Sequence, residues 1–448
     1  MPCTEGQSVN ITIDDLNHRG EGVGRFNGFT LFVPGALPGE HVSVRIAAVH
    51  KKFGEANLQS IAVASAYRIR PYCPYFNRCG GCQLQHLSYE KQLTWKQEMI
   101  YETLLRIAGI KTAIRPVLGM ENPWSYRNKA QIHFGLDNGR VIAGFYERES
   151  HNLITINDCP VQSPLNNRAL TIIGQSLQQY VDSLPKQGRQ KLPVSGAQVR
   201  SSYARNNCLI TFRGATAQDD LSNLENVAAF INAELGEFSS GIGVAGRNKK
   251  GVFLKKLSGQ LHLDEYLEPF HYRISPQSFF QINPLQAGVL YKEALLLAGN
   301  PATAYDLYCG TGNFSLYLSR TAEKVIGIDS EKAAIEDARF NATLNSINNI
   351  TFINKPAEDV TSIVPGSKRP VTVFLNPPRK GCPASLLETV IKAKPERIVY
   401  ISCNPATLAR DLAVLVKHGF NLQQVQPVDM FPHTSHLETI ALLTQQVD

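Results

Sequence analysis

Cys403 stands in Ile401-Ser402-Cys403-Asn404-Pro405, where a β-rich run gives way to a helix start. Asn404 is a natural helix cap and Pro405 fits the first helical position. A thiol there sits at the carboxyl edge of a sheet, beside free amides and the positive end of a helix dipole. Those surroundings favour a thiolate and are expected to lower its pKa, as a nucleophile needs. Cysteine also fills cores as a small hydrophobe, so packing is the competing reading. The other single cysteines fit less well. Cys309 lies inside a glycine loop, Cys382 follows a proline loop without a cap, Cys208 reads as strand core, and Cys3 lies in a terminus that reads as frayed.

Asp306-Leu-Tyr-Cys-Gly310-Thr-Gly312 ends a strand and opens a helix, and Asp329 closes the next strand. The glycines allow a sharp turn and close backbone approach, and an acid at position 329 can accept from both ribose hydroxyls of a nucleoside. A third glycine, which a pyrophosphate would require, is missing. Asn313 follows instead, which favours S-adenosylmethionine over a dinucleotide. Asn376-Pro-Pro-Arg379 follows a later strand and is expected at the same sheet edge. Glu438 opens a strongly apolar final strand, where a carboxylate is either a working acid–base group or half of an ion pair.

Cys73, Cys79 and Cys82 cluster within ten residues, with a distant Cys159-Pro160. Three clustered thiols point to a metal or cluster site. Zinc pairs are usually spaced by two to four residues, and only one gap here fits. The total of nine cysteines in a long chain argues against a disulfide scaffold.

These residues need a scaffold. Residues 1–65 alternate apolar and polar residues, as at Val9, Ile11 and Ile13, and hold an Asn27-Gly28 hairpin signal. They predict a small OB-like β-barrel, a fold that often binds RNA. Residues 66–92 read as loop and 88–108 as one amphipathic helix, with Leu93, Gln97, Ile100, Leu104 and Ile107 near helical spacing. Residues 124–275 read as mainly β, interrupted by a polar interval at 183–192. From about 300, strands and helices alternate, which predicts an open, mostly parallel α/β sheet. The domains expected are therefore 1–65, 66–275 and 276–448, with the helix at 88–110 free to pack on the last.

The 448 residues exceed one ordinary domain, and 43% hydrophobic with 19% charged residues fits a globular chain. No stretch reads as a membrane span or signal peptide, so a cytoplasmic protein is expected. A net charge of +7 permits nucleic-acid binding without demanding it.

Taken together, the motifs resemble the TRAM-containing RNA (uracil-5-)-methyltransferases, over almost the whole chain. His18-Arg-Gly-Glu-Gly-Val-Gly-Arg25 and Val33-Pro-Gly-Ala-Leu-Pro-Gly-Glu40 look like a TRAM domain. Trp124-Ser-Tyr-Arg-Asn-Lys129, Phe280-Gln-Ile-Asn283, Ser402-Cys-Asn-Pro405 and His436-Leu-Glu438 continue the pattern. The resemblance implies a Rossmann-like class I methyltransferase domain that binds S-adenosylmethionine through Gln281, Tyr308, Gly310, Asn313, Asp329 and Asn376. It implies Cys403 as the nucleophile that adds to uridine C6, and Glu438 as the base for the C5 proton. The cysteine spacing resembles the 4Fe–4S ligand set of this family, with Cys73, Cys79, Cys82 and Cys159 as ligands. TRAM and a cluster favour 23S rRNA as substrate, with tRNA the alternative. A monomer is expected, with no membrane and no DNA partner.

One departure stands out. The family usually has Asp-Pro-Pro-Arg where this chain has Asn376, which keeps an acceptor but loses a charge. Three rivals are weaker. A radical enzyme needs a different cysteine spacing. An amine methyltransferase needs no Cys403. A non-catalytic RNA-binding relative need not keep Cys403 and Glu438.

Overall fold

The computed structural model describes residues 3–185, 192–216, 221–248, 251–359 and 370–445. Most of the polar interval at 183–192 lies outside the described residues.

Strands β1 (Ser8–Leu16), β2 (Gly22–Phe26), β3 (Phe29–Val33), β4 (His41–Val49) and β5 (Phe53–Val63) close a barrel in the order β1-β2-β3-β5-β4. Along β1 every second residue from Val9 to Ile13 points inward, as the alternation requires. Asn27 and Gly28 both have positive φ, the conformation a two-residue hairpin turn needs. Cys3 is not frayed: it is buried in the barrel core with Val9 and Val44.

The loop after the barrel runs into α1 (Tyr89–Thr103), which continues as a wider helical turn at Leu104–Ala108 and stops at Gly109 in the left-handed region. The buried face of this helix keeps Ile100 and Leu104 of the apolar spacing but adds polar side chains to it. Gln92, Trp95, Lys96 and Ile100 are buried, while Ile107 is half exposed. The polar pair turns inward because both side chains find partners there, described below.

Strands β6 (Lys129–Asp137), β7 (Arg140–Tyr146), β8 (Leu153–Thr155), β9 (Gly196–Ser201), β10 (Cys208–Thr216), β11 (Ser239–Asn248) and β12 (Gly251–Gly259) form one sheet, in the order β12-β11-β10-β9-β6-β7-β8. Two helices, α2 (Pro164–Ser183) and α3 (Ser222–Leu235), bury Ile173, Leu177, Leu224 and Ile231 against one face. The mixed, mainly β pattern named neither helix; they are present because a sheet with one apolar face needs a covering layer. Cys208 lies in this core, as read from its strand. A hairpin, β13 (Leu263–Leu267) and β14 (Phe270–Ile274), leads onward.

The C-terminal sheet comprises β15 (Thr303–Leu307), β16 (Lys324–Asp329), β17 (Ile350–Asn354), β18 (Val371–Leu375), β19 (Arg397–Ser402), β20 (Phe420–Val428) and β21 (Glu438–Gln445). Its order is β17-β16-β15-β18-β19-β21-β20. The first five strands are parallel, and β21 inserts antiparallel between β19 and β20. Helices α4 (Pro284–Ala298), α5 (Asn313–Leu318) and α6 (Lys332–Leu344) share one apolar core with the sheet. Helices α7 (Ala384–Ala393) and α8 (Pro405–Lys417) share another, joined by Ile100 and Leu104. No helix among the described residues is long and apolar enough to cross a membrane.

Candidate active site

The chain leaves β15 toward β16 on one side, and β18 and β19 lie on the other. The strand order therefore reverses between β15 and β18, where open α/β sheets bind ligands at the carboxyl edge. Four loops meet there.

The first follows β15. Tyr308 takes a positive φ of 71°, and its amide and that of Cys309 both donate to the Ile328 carbonyl of β16. Gly312 also has positive φ, and a Cβ there would meet Phe352 at 3.0 Å, so only glycine fits without displacement. A Cβ at Gly310 would meet nothing within 4 Å, so Gly310 faces open space. Asp329 accepts from the Gly310 amide at 2.9 Å, and from Glu331 through its other oxygen. Asn313 is held by Thr311 and by the Tyr291 hydroxyl. Asp306 is fully buried beneath the loop; burial pushes it up to about 7 while Ser315 donates to it at 2.6 Å. Cys309 is buried in the core, with its thiol raised far beyond its ordinary range, and is not a rival nucleophile.

The second loop carries Asn376 after β18. Asp411 of α8 accepts from the Cys382 amide, the Tyr400 hydroxyl and Arg410, whose guanidinium reaches the Lys380 and Cys382 carbonyls. Cys382 is thus fixed as a buried support of this loop.

The third loop is the turn from β19 into α8. Asn404 caps α8 by accepting from the Ala406 amide at 3.1 Å, and its side-chain amide donates to the Arg379 carbonyl at 3.0 Å. Cys403 is half buried at this turn. Its thiol is pushed up to about 11, first by burial and then by Glu438, with Arg379 pulling the other way. The expected lowering by the helix end is therefore not what the site delivers; desolvation outweighs it.

The fourth loop, residues 429–437, leads to Glu438. Ser402 pairs with Thr439 across β19 and β21, so Cys403 and Glu438 are the next residues beyond that rung. The antiparallel insertion of β21 is what brings them together. Glu438 is buried and raised to about 8 by burial, opposed by Arg379. No salt bridge among the described residues engages it.

Gln281 lies buried just before α4, which Asn283 caps; the Asn283 side chain also donates to the Met430 carbonyl. That bond ties the Gln281 segment to the loop before Glu438.

The four clustered cysteines line one cavity of about 570 Å³ together with Arg127. All four are free thiols, raised chiefly by burial, Cys82 to about 12 and Cys159 to about 11. Among the described residues no group of three or more His, Cys, Asp or Glu stands close enough to hold a metal ion.

A profile of the family described as tRNA (Uracil-5-)-methyltransferase matches residues 88–446. The chain belongs to that family. A TRAM domain profile matches residues 2–58, on the barrel. Relatives named as uncharacterized RNA methyltransferases agree: one from Clostridium tetani is 39% identical, covering 100% of this chain and 98% of its own. One from Listeria innocua is 38% identical, covering 98% of each. The solved tRNA (uracil-54, C5)-methyltransferase of Pyrococcus abyssi, bound to S-adenosyl-L-homocysteine, is similar with a TM-score of 0.75 and 26% identity, over 97% of this chain and 100% of that one. This methyltransferase is accordingly an S-adenosylmethionine-dependent RNA-modifying enzyme.

Two features of the methyltransferase escaped the sequence. Arg379 ends the Asn376-Pro-Pro-Arg379 motif, whose pattern alone assigns it no role, yet it faces both Cys403 and Glu438. The buried Lys96–Asp429 pair, at 2.6 Å with both side chains fully enclosed, anchors the loop before Glu438. A lysine at an inward helical position was the available signal.

Proposed function

We propose that this enzyme methylates C5 of a uridine through a covalent Cys403 adduct, with Glu438 as the base. The observation that carries the proposal is the pairing of β19 with β21, which sets the thiol and a desolvated carboxylate side by side at the cofactor edge of the sheet. Cys403 gives up its thiol proton to solvent, and Arg379 stabilises the resulting sulfur anion. The sulfur bonds to C6, and the C5=C6 electrons move onto C5 and the O4 enolate. S-adenosylmethionine supplies an electrophilic methyl group, which C5 takes as the methyl–sulfur bond breaks. Glu438 removes the C5 proton; those electrons restore C5=C6, and the Cys403 sulfur leaves. Gly310, Asn313, Asp329, Tyr308, Gln281 and Asn376 would hold the cofactor. Asp329 suits ribose hydroxyls, and Asn376 offers an uncharged acceptor where the family usually has a carboxylate.

The RNA-binding barrel, attached to the rest through the Arg68–Glu40 ion pair, supports a structured RNA substrate. The resemblance favours 23S rRNA; the likeness to the Pyrococcus tRNA enzyme favours tRNA as the second reading. Cys73, Cys79, Cys82 and Cys159 would hold a 4Fe–4S cluster. Their convergence on one cavity fits that group, whose thiolate corners lie farther apart than the ligands of a single zinc ion. Iron and sulfide content of protein purified without oxygen tests the cluster.

Methyl transfer from labelled cofactor to purified rRNA and tRNA, followed by nucleoside mass spectrometry, tests the activity. 5-Methyluridine should form with the wild type and vanish with Cys403→Ala. Label appearing in another nucleoside would sink the assignment.

A further inference from the structure

Between the barrel and the cysteine cavity the chain reads Tyr67-Arg68-Ile69-Arg70-Pro71-Tyr72-Cys73. Arg68 is taken up by Glu40 and the Gly35 carbonyl. The backbone is fixed by Ile69 donating to His86 and by Ser88 donating to Tyr67. The remaining side chains are therefore held outward on a rigid segment. Tyr72 is 73% exposed and Tyr67 53%.

The Tyr72 ring leans on Trp124, with centroids 5.3 Å apart. Trp124 lies flat on His433, at 3.8 Å and 24°. His433 is buried in the loop that runs into Glu438, held by Gln92 on its amide and by the Gln83 and Leu84 amides on its carbonyl. Burial, helped by Lys96, pushes His433 down to about 3, so the stack carries no charge at neutrality. Arg70, two residues before Tyr72, is exposed and makes no salt bridge among the described residues, while half-buried Lys91 lies 5.5 Å from the Tyr67 ring.

A single exposed aromatic needs no explanation. This one is the outer end of a three-ring stack that begins in the loop before Glu438 and emerges two residues from the exposed Arg70. Every base has a π-face, so nucleotides stack on such rings whatever their identity, while cations meet the backbone. We propose that the outer face of Tyr72, backed by Trp124, is a stacking platform for a nucleotide flanking the target uridine in single-stranded RNA, with Arg70 meeting its phosphate. The proposal rests on the RNA-modifying reading above. It supplies what an extruded uridine requires, a hold on the neighbouring base.

The test uses full-length protein and a short oligouridylate carrying one 2-aminopurine, whose fluorescence falls on stacking. The wild type and Tyr72→Phe should quench the probe. Tyr72→Ala should lose most of the quenching and bind about tenfold more weakly, with an unchanged melting temperature because the ring is exposed. Quenching by Tyr72→Ala equal to wild type would overturn the platform. So would a Tyr72→Phe defect as large as that of Tyr72→Ala, which would assign the effect to the hydroxyl. Wild type that forms a Cys403 adduct with RNA but leaves the probe unquenched would overturn the platform alone. Tyr72-dependent quenching without any adduct would overturn the methyl-transfer step and leave the platform standing.

Discussion

Glu438 and Cys403 are both held protonated by burial near neutrality, at about 8 and about 11, and the proposed chemistry needs both without their protons. The competent fraction therefore rises with pH, and single-turnover methyl transfer should climb across neutrality, with the carboxylate limb levelling above about pH 8. Arg379 favours both anions, so Arg379→Gln should move the profile to higher pH; a shift to lower pH would refute its role. Glu438→Gln keeps the shape but not the base. It should slow turnover by roughly 10²–10⁴-fold and accumulate a covalent protein–RNA complex on ordinary uridine, visible in a denaturing gel. At this scale the sequence was informative about Cys403, because a strand end, a capping asparagine and a proline define its place. It was uninformative about electrostatics. Desolvation depends on chain segments far from position 403, and so does the neighbour Arg379, which a different loop supplies.

The parallel part of the C-terminal sheet was legible because each of its strands is an apolar run between glycine or proline breaks. The antiparallel hairpin was not, since β20, with Gln423, Gln424 and Gln426, lacks the apolar signature of its neighbours. Yet that hairpin creates the site. Its connecting loop is tied down from α1: Lys96 bonds Asp429 at 2.6 Å and also reaches the Phe431 carbonyl, and Tyr89 donates to Asp429. Lys96→Met would leave Asp429 buried and unpaired, and should cost about 3–5 kcal/mol in urea unfolding. The double variant Lys96→Met with Asp429→Leu should recover much of that. A loss from the single variant within the range of a surface substitution would show that the pair anchors nothing. The same pairing explains why α1 buries a lysine beside Ile100: a paired lysine is admissible inside as a leucine is.

Across the whole molecule, the barrel, the cysteine loop and the catalytic loop form a continuous structure. Gly20 of the barrel sits on Leu84, and Leu84 packs with Leu16, Leu37 and Trp95. Gln83 and Leu84, directly after Cys82, hold the His433 carbonyl. A cluster bound at Cys82 would therefore stiffen the loop before Glu438. Cys82→Ser should lose iron and visible absorbance, and amide exchange across residues 429–437 should quicken. Unchanged exchange in an iron-free variant would uncouple the two. This continuity could not be read from sequence, because its bonds join residues hundreds of positions apart.

The most direct measurement is incubation of the protein with S-adenosylmethionine and RNA carrying 5-fluorouridine at the target. Fluorine at C5 leaves no proton for Glu438 to take, so the ring stays bonded to sulfur. A heat-stable protein–RNA band is expected, with the peptide containing Cys403 attached to a 5-methyl-5-fluoro pyrimidine, and no band from Cys403→Ala. Equal banding by Cys403→Ala, or 5-methyluridine formation by that variant at the wild-type rate, would contradict attack by Cys403.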